Sequence, residues 1–131
     1  RQLMVFEKID YSFLRFLLRN ASAYAGLVDS SWQPAGWTVA CEALSSGLPM
    51  VLYEGLTSRE MAESGASERL VQSVAMGDVA SFTEKLALMV ASGGREKLSV
   101  QATTFAMQHL DFGITAPAFV SEIENLVVKG A

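Results

Sequence analysis

The sequence predicts an α/β domain in which a doubly wound parallel sheet is followed by a tail of helices. Two observations predict it. Short apolar runs alternate with segments of helical length over the first half of the chain, and the last third has helical periodicity with Gly and Pro at its boundaries. Strands separated by a helix form parallel pairs with a right-handed crossover, so the order is βα repeated, then helices.

Composition is typical of one folded domain. The chain has 131 residues, of which 50% are hydrophobic and 18% charged, which favours a packed core over a disordered chain. The net charge is −4, and the cations form no cluster. Because affinity for phosphate backbones needs concentrated Lys and Arg, nucleic acid is not an expected partner.

The chemistry-bearing residues are few. Cys41 and His109 each stand alone, which excludes an intrachain disulfide, a multi-cysteine metal site and a Ser/His/Asp or Cys/His catalytic set. No metal or cofactor is predicted. Low cysteine usage, no signal-peptide pattern and no apolar run of membrane-spanning length predict a cytoplasmic protein without a transmembrane segment. The first residue is Arg1, so we expect an excerpt of a longer protein.

The first predicted unit is a strand and a helix. Residues 3–6 (LMVF) form a continuous apolar run, as expected of a strand buried on both faces. Asp10 or Ser12 caps the following helix, which ends at Asn20. Its buried stripe is predicted to consist of Phe13, Phe16 and Leu17.

The central unit is strand, loop, helix, strand. Residues 25–28 form a short strand, and a loop containing Gly36 follows. Thr38 opens a helix of mostly small side chains that stops at Gly47, since Gly and Pro after the last turn are helix-stop signals. Residues 50–53 are the next strand.

Two further segments complete the sheet and its cover. Thr57 or Ser58 caps a short helix that Gly65 closes, and residues 66–71 are the last, weakest strand. A helix from Asp78 to about residue 91 has the apolar face Val79, Phe82, Leu86, Met89 and Val90.

Two closing helices are predicted. The first covers residues 96–110, with one side formed by Leu98, Ala102, Phe105, Ala106 and His109. The second is capped by Thr115, has Pro117 in its first turn and buries Phe119, Ile123 and Leu126. We interpret His109 as a partly buried helix residue without a catalytic role.

A candidate anion site lies where the central helix begins. In open α/β sheets, ligands bind at the carboxyl ends of the strands, and a helix that starts there offers free N–H groups and a favourable dipole. Gly36 permits close backbone approach, Thr38 adds a hydroxyl, and Glu42 one turn on is placed to accept hydrogen bonds from a ribose diol. The alternative, of equal weight, is that Gly36 serves only the turn and Thr38 only the cap.

Other polar residues are predicted near the same edge. Glu54 ends the strand 50–53, and Ser58 and Arg59 begin the next helix, so they either contact a ligand or form a cap and a surface ion pair. Arg15 and Arg19 are within reach of a phosphate, but solvated surface arginines are the preferred interpretation.

The stretch 23–55 resembles the donor-nucleotide half of GT-B glycosyltransferases, most closely the retaining, group 1 type. Many of these enzymes have an aspartate and a serine after a strand, a Gly-containing loop, a helix with Glu-Ala, and then Gly-Leu-Pro-Val-Val. The matching residues here are Asp29, Ser31, Pro34, Gly36, Glu42, Ala43, and residues 47–51 (GLPMV). The similarity continues over nearly the whole chain, which implies a Rossmann-like GT-B C-terminal half as a single domain, residues 1–131.

The resemblance implies binding of a nucleotide-diphospho-sugar, UDP- or GDP-linked, for transfer of the sugar to an acceptor. It places Gly36, Trp37 and Thr38 at the phosphates and Glu42 at the ribose. The family has an earlier glutamate that touches the donor sugar, and Pro34 occupies its place, so Gln33 is the nearest polar substitute. Ser58 completes the expected set.

The resemblance also implies a missing partner. GT-B enzymes carry the acceptor site and further basic residues in an N-terminal domain, so this fragment alone is expected to bind weakly and to be inactive. Two alternatives remain. The residues DSS, EA and TSRE in this order are similar to UDP-N-acetylglucosamine epimerases, and TSRE is also similar to protein O-linked N-acetylglucosamine transferases. A non-catalytic interaction domain that retains the fold is the second alternative.

Overall fold

A computed structural model of the chain describes residues 4, 5, 7–111, 117 and 121. Within this part of the chain lie five helices and three strands. In chain order they are α1 (Tyr11–Asn20), β1 (Tyr24–Gly26), α2 (Trp37–Ser45), β2 (Met50–Tyr53), α3 (Leu56–Glu63), β3 (Val71–Val74), α4 (Val79–Ala91) and α5 (Gly94–His109).

The strands form one parallel sheet in the order β1-β2-β3. Ala25 is paired with Val51 in the first ladder, and Val51 with Gln72 in the second. The predicted α/β class with a parallel sheet is therefore confirmed. The strand order does not reverse within the described residues, so the doubly wound arrangement stays a prediction.

The central strand separates two apolar clusters. Met50 and Leu52 face a main core formed with α1, α2, α3 and α5, and Val51 faces a smaller cluster formed with Phe82 and Met89 of α4. Successive side chains of a strand point to opposite faces, so a central strand covered on both sides must be apolar throughout. This explains why β2 reads MVLY without a polar position.

Several predicted boundaries are confirmed. β2 covers residues 50–53, and α1 ends at Asn20. The Asp10 carboxylate accepts a hydrogen bond from the N–H of Phe13 at 2.8 Å, and Asp78 caps α4 in the same way. Gly47 follows the end of α2 with φ +80°, the left-handed conformation that favours glycine after a helix.

The prediction for the N-terminal segment is wrong where it can be compared. Leu3 and Phe6 lie outside the described residues, but Met4 and Val5 belong to no strand and are exposed. The predicted stripe of α1 is also wrong: Leu14 and Leu18 contact the main core, and Phe16 is exposed.

Element starts differ from the predictions by one to several residues. β1 begins at Tyr24 and stops at Gly26, and α2 begins at Trp37, with Gly36 as its N-cap. The prediction of a strand over 66–71 is wrong, because the carbonyl of Ser67 accepts the N–H groups of Leu70 and Val71 and closes a turn there. β3 starts only at Val71.

The helices after the sheet lie where the sequence predicts them, but some of the side chains predicted to be buried are exposed. Phe82 and Met89 of α4 are buried as expected, whereas Val79 and Val90 are exposed. The prediction that His109 is partly buried is wrong, because His109 ends α5 exposed at the surface, with its ring stacked on Phe105 at 4.8 Å between centroids. The predicted last helix is described only at two positions, Pro117 and Ser121, both helical, and its other named residues lie outside the described part. None of the described helices is long and apolar enough to cross a membrane.

Candidate functional site

The loop between β1 and α2 folds over the start of α3. The carbonyl of Ser30 accepts a hydrogen bond from the N–H of Leu56 at 2.8 Å, and the hydroxyl of Thr57 donates to the carbonyl of Ala35 at 2.9 Å. Gly55 lies so close to Ser30 that a side chain at position 55 would collide with the hydroxyl of Ser30. The loop is thereby fixed at the carboxyl edge of the sheet, where the sequence predicts a ligand site.

The N-terminus of α2 is open. Gly36 has φ +79° and ψ 0°, and no side chain caps the helix. The N–H of Trp37 donates to the carbonyl of Pro34 at 3.2 Å, but the N–H groups of Thr38 and Val39 have no protein acceptor among the described hydrogen bonds. These two donors, with the positive end of the helix dipole, can take an anionic oxygen.

The N-terminus of α3 at the same edge is already occupied. The hydroxyl of Ser58 accepts the N–H of Gly55 at 3.1 Å, and the loop carbonyl of Ser30 takes the next N–H. Thr57 and Ser58 are both buried. Ser58 therefore has the expected capping role, which it performs as the third residue of α3. The N-terminus of α2 is the better of the two helix ends for an anion.

A groove between α1 and α2 joins three ionisable side chains. Arg15, Arg19 and Glu42 line a cavity of about 390 Å³ with Tyr11 at one end. The guanidinium of Arg15 lies 5.8 Å from the ring centroid of Tyr11. The groove therefore offers two cations and a carboxylate on neighbouring helices, with an aromatic ring beside them.

The six predicted site residues do not line a single cavity. Gly36 borders a space of about 10 Å³, enough for one water. Glu42 lines the α1–α2 groove, and Ser58 lines a third cavity of about 260 Å³ with Glu54 and Arg59.

The remaining three predicted residues belong to α2 and its preceding loop. Gln33 and Thr38 are exposed, and Trp37 packs against the main core. Thr38 and Glu42 are four residues apart on α2, so their side chains lie one above the other on one face of the helix. The Trp37 side chain is thus a core contact, whereas Thr38 and Glu42 remain available to a ligand.

Arg15 and Arg19 are exposed, as the sequence predicts, and both also line the α1–α2 groove. A signal for them exists: Tyr11, Arg15 and Arg19 recur every four residues and therefore form one polar stripe on α1. The sequence does not show which residues lie beside that stripe in the folded chain. Only the packing of α1 beside α2 places it next to Glu42.

Cys41 lies on α2 beside Glu42 but is unsuited to nucleophilic chemistry. Burial, with a smaller contribution from the charge of Glu42, raises the pKa of its thiol to about 11. No group of three or more His, Cys, Asp or Glu side chains among the described residues could hold a metal ion.

Alkylation should report this protonation state. At pH 8 a thiol of pKa about 11 is roughly 0.1% thiolate, against about 25% for an ordinary cysteine, so iodoacetamide should modify Cys41 roughly 250-fold more slowly than a model thiol. The alkylation rate of Cys41 should rise with pH up to about 11, and in guanidinium chloride it should equal the rate of the model thiol. A native rate equal to that of the unfolded chain would show an ordinary, accessible thiolate.

The chain was compared with protein-family models, curated proteins and solved structures, and none of them matches it.

Proposed function

We propose that this chain binds a nucleotide-diphospho-sugar and forms the donor-binding domain of a GT-B glycosyltransferase. The observation that supports this most is the open N-terminus of α2, with Gly36 in the left-handed conformation and free N–H groups on Thr38 and Val39. A diphosphate is the ligand group that such a helix end, at the carboxyl edge of a parallel sheet, stabilises best.

Side chains along α2 extend the proposed site from the phosphate to the nucleoside. Glu42 is one turn beyond Thr38 on the same face and is placed to accept hydrogen bonds from the ribose hydroxyls. Arg15 and Arg19 of α1 supply positive charge to the same groove. The groove extends from Glu42 towards Ser45 and Ser46 at the C-terminal end of α2, so these cations lie on the nucleoside side of the proposed site and away from the helix N-terminus proposed for the diphosphate.

The proposed role in transfer is stabilisation of the leaving group. The N–H groups at the N-terminus of α2 hold the diphosphate as the bond from its terminal phosphate oxygen to the anomeric carbon breaks. The acceptor and any catalytic base belong to the N-terminal domain of the proposed two-domain enzyme. This domain by itself is expected to bind the donor weakly and to transfer nothing.

A ligand screen by NMR tests the proposal. UDP, GDP, ADP, TDP and UDP-sugars are titrated into the isotopically labelled chain, and shifts are expected at the amides of Gly36, Thr38 and Val39 and around Glu42. The responding nucleotide identifies the base. If no nucleotide diphosphate binds either this chain or the proposed two-domain enzyme, the proposal fails and a non-catalytic interaction domain replaces it.

The role of Glu42 makes a sharper prediction. Glu42→Ala should weaken binding of the responding nucleotide by about 1–3 kcal/mol, because hydrogen bonds from the ribose to a charged acceptor are lost. Isothermal titration calorimetry measures this difference directly.

The matched control is Glu84→Ala on α4, which covers the opposite face of the sheet and is exposed. It removes the same charge from the chain and should leave nucleotide affinity unchanged. An equal loss in both variants would indicate a general charge effect, and an unchanged affinity in Glu42→Ala would remove this residue from the site.

A further inference from the structure

The outer edge of β3 has backbone groups that face away from the sheet. The N–H of Met50 donates to the carbonyl of Leu70, and the N–H of Glu54 donates to that of Val74, each at 2.8 Å. Backbone groups of a strand alternate between its two sides, so those of Val71 and Ser73 point outwards. No strand of the described chain pairs with this side of β3.

Two of the four outward groups are already bonded. The N–H of Val71 donates to the carbonyl of Ser67 at 3.0 Å, and the carbonyl of Ser73 accepts the ammonium of Lys85 at 2.9 Å. Within the described part of the chain, the carbonyl of Val71 and the N–H of Ser73 are left without a partner. In a parallel ladder, one residue of the added strand donates its N–H to the carbonyl of Val71 and accepts the N–H of Ser73 with its own carbonyl.

A basic groove follows this edge. One cavity of about 440 Å³ runs along β3, and a second of about 360 Å³ adjoins it over α4 and α5, with Arg69 and Gln72 bordering both. Three cations line the two cavities, Arg69, Lys85 and Lys97, against one acid, Glu68.

Two of these cations are unpaired. In the described structure the side chains of Arg69 and Lys97 have neither a hydrogen bond nor an ion pair. Lys85 protects the edge only at the carbonyl of Ser73. Positive charge is therefore concentrated beside the open backbone pair, on a chain whose net charge is −4.

We propose that this edge binds an extended, acidic segment of a partner protein, which adds to the sheet as a strand parallel to β3. Main-chain bonds to Val71 and Ser73 hold the segment in register, and its carboxylates pair with Arg69 and Lys97. Strand addition at a sheet edge takes affinity from the main chain and specificity from the side chains. The inference is independent of nucleotide binding, since it uses a different face of the molecule.

Hydrogen exchange in the free 131-residue chain is the first test. The amide of Ser73 should exchange quickly, because it faces outwards, while the amides of Gln72 and Val74 should be protected by the ladder with β2. Protection of the Ser73 amide in the free chain would mean that another part of this chain already covers the edge, and the proposal would fall.

Peptide binding is the second test. A short acetylated peptide of alternating glutamate and valine should shift the amides of residues 71–73 and protect that of Ser73, and its lysine–valine counterpart should not. The proposal is overturned if both peptides bind equally. It is overturned as well if inorganic phosphate produces the same shifts, since the groove would then be a site for small anions.

Two variants separate the main-chain and charge contributions. Ser73→Pro removes the outward N–H together with the serine hydroxyl, and an edge strand tolerates proline where the N–H faces solvent. The variant should abolish binding of the acidic peptide. The double variant Arg69→Glu, Lys97→Glu should weaken that peptide about tenfold or more and make the lysine peptide the better ligand. Unchanged affinity in the double variant overturns the proposal even if Ser73→Pro does not fold.

Discussion

Leu44→Ala is expected to lower the free energy of unfolding by about 2–5 kcal/mol. Leu44 is fully buried on α2, in the core that α2 shares with Met50, Leu52 and Met61. The substitution removes apolar contacts and leaves a cavity that a packed core fills only in part. Since a domain of this size is stable by about 5–15 kcal/mol, the loss is a large part of the total.

Urea denaturation monitored by tryptophan fluorescence, in which the signal of Trp37 changes as its contact with the same core is lost, measures this loss. The matched control is Leu88→Ala, which removes the same atoms from α4 at a position that is 62% exposed. It should change the unfolding free energy by no more than about 0.5 kcal/mol. Equal losses in the two variants would contradict the described arrangement of α2 against the sheet.

Much of this core was predictable from the sequence. The run MVLY is apolar at every position, as a strand covered on both faces requires, and β2 was predicted at its observed bounds. The pattern alone does not decide, because the equally apolar run at residues 3–6 places Met4 and Val5 exposed and outside any strand. Gly47, with Pro49 beyond it, marks the end of α2 by local conformational preference alone. Such signals depend on a few neighbouring residues and do not need the tertiary structure.

Where two patterns compete within the sequence, only tertiary packing decides between them. In α1 both the set Phe13, Phe16 and Leu17 and the pair Leu14 and Leu18 have helical spacing. The aromatic set is more hydrophobic, yet the two leucines face the core, and the rings of Phe13 and Phe16 stack on each other at 6.2 Å. Periodicity shows which side chains share a face of the helix, but it does not show which face contacts the core.

The candidate site shows the same division. Gly36 and Glu42 were found because a glycine loop, a helix start and an acid one turn later are close in sequence. Arg15 and Arg19 belong to another helix, and the relation between α1 and α2 arises only when both pack on the sheet. The hydrogen bond from Leu56 at the start of α3 to the carbonyl of Ser30 was equally hidden, since Ser30 precedes Leu56 by 26 residues.

Arg95→Met is expected to destabilise the chain by about 2 kcal/mol, because a charged donor is removed from two backbone carbonyls. From α5, the guanidinium of Arg95 donates through one nitrogen to the carbonyl of Ala21 and through the other to that of Ser46, the latter at 3.4 Å. These carbonyls belong to the C-caps of α1 and α2, where helix dipoles favour a cation. Methionine keeps the apolar stem, so packing changes little.

This contact ties together the two helices that form the Arg15–Glu42 groove, which makes Arg95 a structural support for the proposed site rather than a ligand contact. Arg95→Lys should recover only part of the stability, since a single ammonium does not reproduce the fork that reaches two carbonyls at once. Arg59→Met on the exposed surface of α3 is the control and should change the unfolding free energy by no more than about 0.5 kcal/mol. Full recovery by lysine would show that charge near the helix ends is sufficient, and that the two-helix clamp is not what stabilises the groove.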